Sequence, residues 1–492
     1  MVLVNKIHAE AKWNRQIQRV FRQQSSRGSP VMGLRIHDTF DVFIEGMAFG
    51  GNGIAHVGGM TVFVEGGIAQ DRARIRIVQK KRRYALARVL ELIEPSAYRV
   101  DPPCAYADRC GGCSLQGMRL DMQRQFKKSH VIESLQHIGR IEEPPVLEPI
   151  ASPLALGYRN KVEWTCSPLR WVAEGSSGDS ALQPAIGFHA PRVFSKVIDM
   201  EACLLVPEAG NDIYRAIRSI IFSSDLPVYD QKRHEGFWRF VMLRHSVFED
   251  RWMVNVITSR QENGICTRMA GQLQERFPAI GTIVNNVTAK KAQIAVGEAE
   301  TVLSGPGYLR ERIGELEFRI SANSFFQTNT RGAEILYETV AAFADLQGDE
   351  TVLDLYCGTG AIALYLAKRA KAIVGIELAP SAVADAAANA RRNGIENCTF
   401  FQGDIRKAYP ALPDRPDVII LDPPRSGLHP DIVKHLLQDG PGRIVYVSCN
   451  PTTLARDAAM LAGRYALTRV QPIDMFPHTY HIESVAALVR MP

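Results

Sequence analysis

Two patterns of apolar spacing divide the chain. From Gly33 to about Glu94, hydrophobic and polar positions alternate in short runs. Thr39 to Glu45, Thr61 to Val64, Ala73 to Gln79 and Tyr84 to Leu92 are predicted strands separated by glycine clusters. Several short strands with glycine turns predict a small barrel. From Glu350 onward, short apolar strands alternate with helical stretches. These strands fall at Thr351 to Leu355, Ala372 to Ile376, Cys398 to Gln402, Asp417 to Leu421, Arg443 to Val447, Ala466 to Val470 and Ser484 to Arg490. That alternation predicts a doubly wound α/β domain. Between the two regions, after Pro95, Pro102 and Pro103, a mixed segment runs to about Ser324 and includes a Gly/Ser-rich surface insertion around Glu174 to Ser180.

At 492 residues the chain is too long for one ordinary core. Its composition, 46 % hydrophobic and 22 % charged, is that of globular domains. No run approaches the roughly 20 apolar residues that cross a bilayer, and the start lacks a compact secretory apolar stretch, so a cytoplasmic protein without membrane contact is expected. Nine cysteines at irregular spacing argue against a secreted disulfide framework and for metal binding or catalysis. The net charge is +6, and the arm from Met1 to Gly33 carries +5 of it through Lys6, Lys12, Arg15, Arg19, Arg22 and Arg27 against Glu10. Such an arm can track phosphates. A solvated tail, an organelle presequence and a leader upstream of Met32 remain open beside that reading.

Polar residues gather where the predicted α/β strands end. The first strand runs into Tyr356, Cys357, Gly358, Thr359 and Gly360, and a lone Gly-x-Gly there is weak evidence. Nineteen residues past Gly358, however, the second strand ends in Glu377, where a carboxylate meets a ribose diol. Asp404 follows the third strand, Asp422-Pro423-Pro424-Arg425 the fourth and Ser448-Cys449-Asn450-Pro451 the fifth. All lie on the edge where open α/β sheets bind ligands. The Asp-Pro-Pro-Arg run and the cysteine set the domain apart from nicotinamide dehydrogenases.

Ser448-Cys449-Asn450-Pro451 with Thr452 to Asp457, and His478-Thr479-Tyr480-His481-Ile482-Glu483-Ser484, resemble the two signatures of RNA uracil-5-methyltransferases. The resemblance extends from the barrel to the C-terminus. Gly46 to Gly53, with the basic run Lys80 to Arg83, is similar to a TRAM domain, an OB-like RNA-binding barrel whose glycines let an RNA backbone approach. The resemblance implies a class I methyltransferase sheet, Rossmann-like, whose antiparallel last strand brings Glu483 to the edge that holds Cys449. It further implies S-adenosylmethionine as cofactor and RNA as partner. Carbon 5 of uracil is a poor nucleophile until a thiolate adds to carbon 6, after which a base must remove the carbon-5 proton. The implied roles are Cys449 as nucleophile, Glu483 as base and Asp422 at the pyrimidine edge. Ser324 to Asn329 is similar to the segment that enters the cofactor site, so Gln327, Tyr356, Glu377, Asp404 and Asp422 are the implied cofactor contacts. Ala361 stands where the family often has Asn. The target base must leave any stack to reach Cys449. A cytosine-5 RNA methyltransferase, which typically has Pro-Cys after strand four, and a non-catalytic RNA-binding protein are the alternatives.

Cys104, Cys110 and Cys113 form C-x5-C-x2-C, and Cys203 follows about ninety residues later. Thiolates favour zinc or iron–sulfur, and spacing does not separate the two. The arrangement resembles the [4Fe–4S] ligands of the branch that modifies 23S ribosomal RNA, with Cys203-Leu204-Leu205-Val206-Pro207 as the fourth; Cys166 is the rival. It does not match the C-x3-C-x2-C of radical S-adenosylmethionine enzymes. The same branch implies large-subunit ribosomal RNA ahead of tRNA, and no obligate protein partner. Tyr158, Arg159, Asn160 and Lys161, and Trp238, Arg239 and Phe240, interleave aromatic and basic side chains as base-stacking surfaces do; a β-core with solvated charges fits the same pattern. His478 and His481 either pack or touch RNA. The expected organisation is a basic extension (1–33), a TRAM-like barrel (34–94), a central cluster-bearing α+β domain (95–326) and a class I methyltransferase domain (327–492).

Overall fold

The computed structural model describes residues 33–172, 183–190, 193–412 and 414–492; the basic arm before Gly33 and the insertion at 174–180 lie outside them. Alternating apolar positions build the first unit. β1 (Thr39–Phe43), β2 (Gly46–Met47), β3 (Gly53–Val57), β4 (Met60–Glu65), β5 (Arg72–Lys80) and β6 (Tyr84–Glu94) form a sheet in the order β1-β5-β6-β4-β3-β2. It curls until β1 lies against β3. In β5, Ala73, Ile75 and Ile77 are buried while Arg72, Arg74 and Arg76 face solvent, as a period of two requires.

The glycine stretch is used differently from the expectation. β2 and β3 run through it, a Cβ on Gly51 would stand 2.6 Å from Cβ of Ser114, and one on Gly53 would stand 2.7 Å from the Ile44 side chain. These two glycines serve contacts between segments of the protein rather than the approach of an RNA backbone.

Beyond the barrel, the loop of Cys104 to Ser114 leads into α1 (Leu120–His137). A central sheet follows, made of β7 (Lys161–Ser167), β8 (Ala185–Ala190), β9 (Val193–Asp199), β10 (Trp238–Ser246), β11 (Arg251–Thr258), β12 (Ile280–Val287) and β13 (Ala299–Ser304). Its order is β13-β12-β11-β10-β7-β8-β9. Helices α2 (Glu208–Phe222) and α3 (Asn263–Arg276) pack against it and enclose Trp164, Trp238 and Trp252. Of the two readings left open for the aromatic–basic segments, the aromatic side chains follow the β-core one. Trp238, Arg239 and Phe240 are at most 5 % exposed, and Tyr158 and Asn160 are buried as well. Both faces of β10 are covered, Trp238, Val241 and Leu243 packing in one cluster and Phe240 and Met242 in another, so its side chains are interior. The two terminal nitrogens of Arg239 donate to the carbonyls of Thr288 and Lys290 (both 2.7 Å) and Ala292 (3.0 Å). Neither Trp238 nor Phe240 offers a face to bases.

The hairpin β14 (Tyr308–Ile313) and β15 (Leu316–Ser321) leads through α4 (Thr330–Ala344) into the C-terminal unit. There β16 (Thr351–Leu355), α5 (Ala361–Leu366), β17 (Ala372–Glu377), α6 (Pro380–Arg392), β18 (Cys398–Gln402), α7 (Ile405–Ala408) and β19 (Val418–Leu421) are followed by α8 (Pro430–Asp439), β20 (Arg443–Ser448), α9 (Pro451–Leu461), β21 (Tyr465–Ile473) and β22 (Glu483–Arg490). The strand order is β18-β17-β16-β19-β20-β22-β21, with β22 antiparallel to its neighbours, which is the class I methyltransferase sheet. Its strands are apolar throughout because they serve two cores. Val352, Val418, Ile420 and Val445 face one, and Leu353, Leu355, Ile419, Leu421 and Ile444 the other. Among the described residues, no helix is long and apolar enough to cross a membrane.

Candidate active site

Parallel β16 to β20 place their carboxyl ends on one edge, and β22, running the other way, begins there. Ser448 of β20 pairs directly with Ser484 of β22, so Cys449 and Glu483, each one residue beyond that pair, are brought together. The Ser-Cys-Asn-Pro turn has a local logic. Asn450 caps α9, its Oδ1 accepting from Thr452 N at 3.1 Å, and Pro451 occupies the first helical position. Ser448 Oγ accepts from Asn450 N and donates to Asn450 O, which fixes Cys449 between strand and helix.

Asp422, at the end of β19, completes the group. Burial pushes its carboxyl up to about 7. Burial, then the charge of Asp422, push Glu483 up to about 8, against the opposing charge of Arg425. The Cys449 thiol is pushed up to about 12, first by burial and then by Glu483 and Asp422, while Arg425 lowers it through its charge and a hydrogen bond. Three acids in one partly dry volume disfavour each other's charged forms, and a single guanidinium beside them favours the thiolate. Arg425 had no role assigned from sequence; its signal is a basic residue directly after Asp-Pro-Pro at a ligand edge.

The loop that carries Arg425 is anchored. Buried Asp457 accepts from Leu428 N and from Tyr446 OH, both at 2.7 Å, and Asn450 Nδ2 donates to Arg425 O at 3.1 Å. Arg425 Nη2 lies 3.0 Å from Nδ1 of half-buried His481. His478, in contrast, is buried and packs.

The remaining residues singled out in the sequence line β16 to β18. Glu377 accepts from Gly358 N at 3.2 Å and from Ala379 N at 2.9 Å, which folds the glycine loop over the end of β17. Tyr356 holds φ at +67° and Gly358 at +54°. A Cβ on Gly358 meets nothing within 4 Å, so the space beside the loop is open to a ligand. Beneath it, neither oxygen of buried Asp354 has a partner that meets hydrogen-bond geometry, and burial, then Asp422, hold this carboxyl well above the usual range. An open cradle over a buried acid fits a polar cofactor. Asp404 caps α7 and is engaged by Arg406, which lowers it to about 2. The backbone carbonyl of Gln327 accepts from Asn160 Nδ2 at 2.9 Å, and Arg244 holds Ser324 O at 2.8 Å, so this segment is fastened to the central sheet.

Charge effects link the four candidate metal thiols. Cys113 is pushed up to about 12 by burial, then by Cys203, Cys110 and Cys104, with Arg159 opposing. Cys203 is raised by burial and lowered by the amides of Leu205 and Val206. Cys166 is buried in β7 and raised by burial alone. No set of three or more His, Cys, Asp or Glu among the described residues is spaced for a single metal ion.

The methyltransferase domain family matches residues 346–455, and the TRAM domain family matches residues 35–90. An uncharacterized RNA methyltransferase of Chlorobaculum tepidum is 44 % identical over 88 % of this chain and 92 % of its own length. Another, from Halalkalibacterium halodurans, is 38 % identical over 92 % and 97 %. The solved structure of the tRNA (uracil-54, C5)-methyltransferase of Pyrococcus abyssi, in complex with S-adenosyl-L-homocysteine, is similar with a TM-score of 0.72 and 28 % identity, covering 92 % of this chain and 100 % of that one. With likeness running through barrel, central sheet and methyltransferase sheet alike, the chain belongs to the RNA methyltransferases.

Proposed function

We propose that the protein methylates carbon 5 of a uridine in RNA through a covalent adduct on Cys449. The observation that carries this reading is the grouping of one thiol, two carboxyls raised toward neutrality and one guanidinium at a single sheet edge. Arg425 favours the Cys449 thiolate, which adds to carbon 6 and moves the electron pair of the 5,6 double bond toward oxygen 4. Asp422, which burial raises to about 7, lends its proton to oxygen 4 and takes it back as carbon 5 acquires the methyl group and the carbonyl re-forms. When bound, S-adenosylmethionine supplies the methyl group that carbon 5 acquires, and Gln327, Tyr356, Glu377, Asp404 and Asp422 would hold it. Glu483 then takes the carbon-5 proton, and the returning electron pair re-forms the double bond and expels Cys449 as thiolate.

Cys104, Cys110, Cys113 and Cys203 are proposed as ligands of a [4Fe–4S] cluster; the mutual charge effects among the four thiols support this, and a polynuclear cluster spreads its ligands more widely than a single ion does. The proposed substrate is large-subunit ribosomal RNA. The Pyrococcus abyssi likeness favours tRNA as a second reading. Transfer of labelled methyl to 23S ribosomal RNA and to tRNA, each lacking its own modification, followed by nucleoside digestion, separates them. 5-Methyluridine in ribosomal RNA with wild type, and none with Cys449→Ala, is the expected result; 5-methylcytidine or an active variant overturns it.

A further inference from the structure

The segment leading to Glu483 is held by residues that the proposed chemistry does not use. It runs from Asp474 to Ile482 and passes through His478, whose φ is +68°, a left-handed conformation uncommon for a residue bearing a Cβ and held here by its surroundings. The enforcing contacts come from α1 and from the loop that follows Cys113.

Gln123 of α1 is fully buried. Its Nε2 donates to Leu115 O at 3.0 Å and to Met118 O at 2.7 Å, and lies 3.3 Å from His478 Nδ1. Its Oε1 accepts from His478 N at 2.8 Å. Leu115 N in turn donates to His478 O at 2.9 Å, so both backbone polar groups of His478 are taken by the α1 and thiol-loop side. One helical turn on, Lys127 Nζ donates to Asp474 Oδ1 at 2.5 Å and to Phe476 O at 3.0 Å, and Tyr158 OH donates to Pro477 O at 3.1 Å. Beyond His478 nothing is slack. Thr479 Oγ1 donates to Phe476 O at 2.8 Å and accepts from His481 N at 3.2 Å, two residues before Glu483.

A leucine at position 123 would fill the space without the desolvation cost of an amide. The amide joins the loop after Cys113 to His478, which lies 355 positions from Gln123 in the chain. We infer that Gln123 is a positioning residue for Glu483: by locking the loop after Cys113 and the strained His478 into one hydrogen-bonded unit, it sets where the carboxyl stands relative to Cys449. Any displacement of the loop bearing Cys110 and Cys113 then reaches Glu483 through the same bonds.

The inference rests on the covalent reading above, and the adduct itself separates the two. With cofactor and RNA present, Glu483→Gln forms the Cys449 adduct and does not resolve it, giving an RNA–protein species that survives denaturing gels. Gln123→Met, which keeps length and loses every bond, should retain the wild-type circular dichroism and cofactor affinity. It should lose at least about tenfold in turnover and accumulate the same species. Wild-type turnover, or a turnover loss without accumulation, overturns the positioning role. Absence of the species even with Glu483→Gln overturns the covalent reading, and this inference with it. Should Gln123→Met not fold, Gln123→Glu keeps the acceptor for His478 N and loses donation to Leu115 O and Met118 O; accumulation is again expected, at lower yield, and its absence overturns the inference.

Discussion

Replacing Glu483 with Gln should stabilise the ligand-free protein, by an amount that grows with pH. A glutamate ordinarily ionises near 4.5, whereas burial and the Asp422 charge push Glu483 in the fold up to about 8. Between those values the unfolded chain has released a proton that the folded chain keeps. Stability is therefore undiminished below the lower value and falls as pH rises through the upper one. The full penalty, reached above pH 8, is about 5 kcal/mol. At pH 7 it is about 3 kcal/mol, and at pH 5 it is below about 1 kcal/mol. Glutamine keeps the shape and does not titrate. The gain in Tm of Glu483→Gln over wild type should be negligible at pH 5 and roughly 6 to 12 °C at pH 7 for a unit the size of the C-terminal domain, and it should widen toward pH 9. Differential scanning of both proteins at the three pH values measures it. A gain independent of pH, or a loss, would refute the premise that the fold holds this carboxyl protonated. The expected coincidence of higher stability with lost turnover is what a base tuned by burial entails.

Adduct resolution should follow ionisation of the same group. Burial and the Asp422 charge raise Glu483 to about 8, so resolution of the Cys449 adduct, followed as single-turnover decay of the RNA–protein species, should speed up about tenfold per pH unit from 6 to 7 and level above 8; a flat profile would remove Glu483 from that step. Asn329→Ala removes the α4 cap, which accepts from Gly332 N at 3.0 Å, together with donation to Met475 O at 2.9 Å, and should cost about 2 kcal/mol in urea unfolding; a loss near zero would contradict the anchoring of this segment. In anaerobically purified protein, Cys203→Ser should lose iron and acid-labile sulfide while Cys166→Ser keeps both, since the thiols that raise Cys113 include Cys203 and not Cys166; equal retention by the two variants would reject the ligand set.

Much of the α/β domain was legible because its rules are local. An apolar run without alternation belongs to a strand covered on both faces, as Val352 and Leu353 facing opposite cores demonstrate. A turn residue after such a strand must lie at the ligand edge, which is why Cys449 and Asp422 could be named together. β2 and β3 escaped because their glycines read as turns, and the close approach that needs Gly51 involves Ser114, far along the chain. Arg239 escaped for a related reason. Alternating aromatic and basic residues describe an exposed RNA-binding strand and an interior one equally well, and the carbonyls of Thr288, Lys290 and Ala292 that decide between them lie far along the chain.

The buried face of α1 shows the limit most clearly. Gln123, Lys127, His130, Val131, Ser134 and Leu135 are buried at helical spacing, so the period is that of a core-facing helix, yet four of the first five are not apolar by any measure and the usual stripe is missing. The reason lies in what the helix faces. Its first turns meet polar groups of the loops around Leu115, Met47 and His478 rather than a hydrophobic layer, and three of the four buried polar side chains answer them: Gln123 the Leu115 and His478 backbone, Lys127 Asp474 and Phe476 O, His130 Met47 O at 3.0 Å. A helix that organises loops needs donors and acceptors where a helix that fills a core needs methyl groups. Its buried face is then invisible to hydrophobic periodicity, and it becomes readable only once the barrel loop, the thiol loop and the segment before Glu483 are known to meet on it.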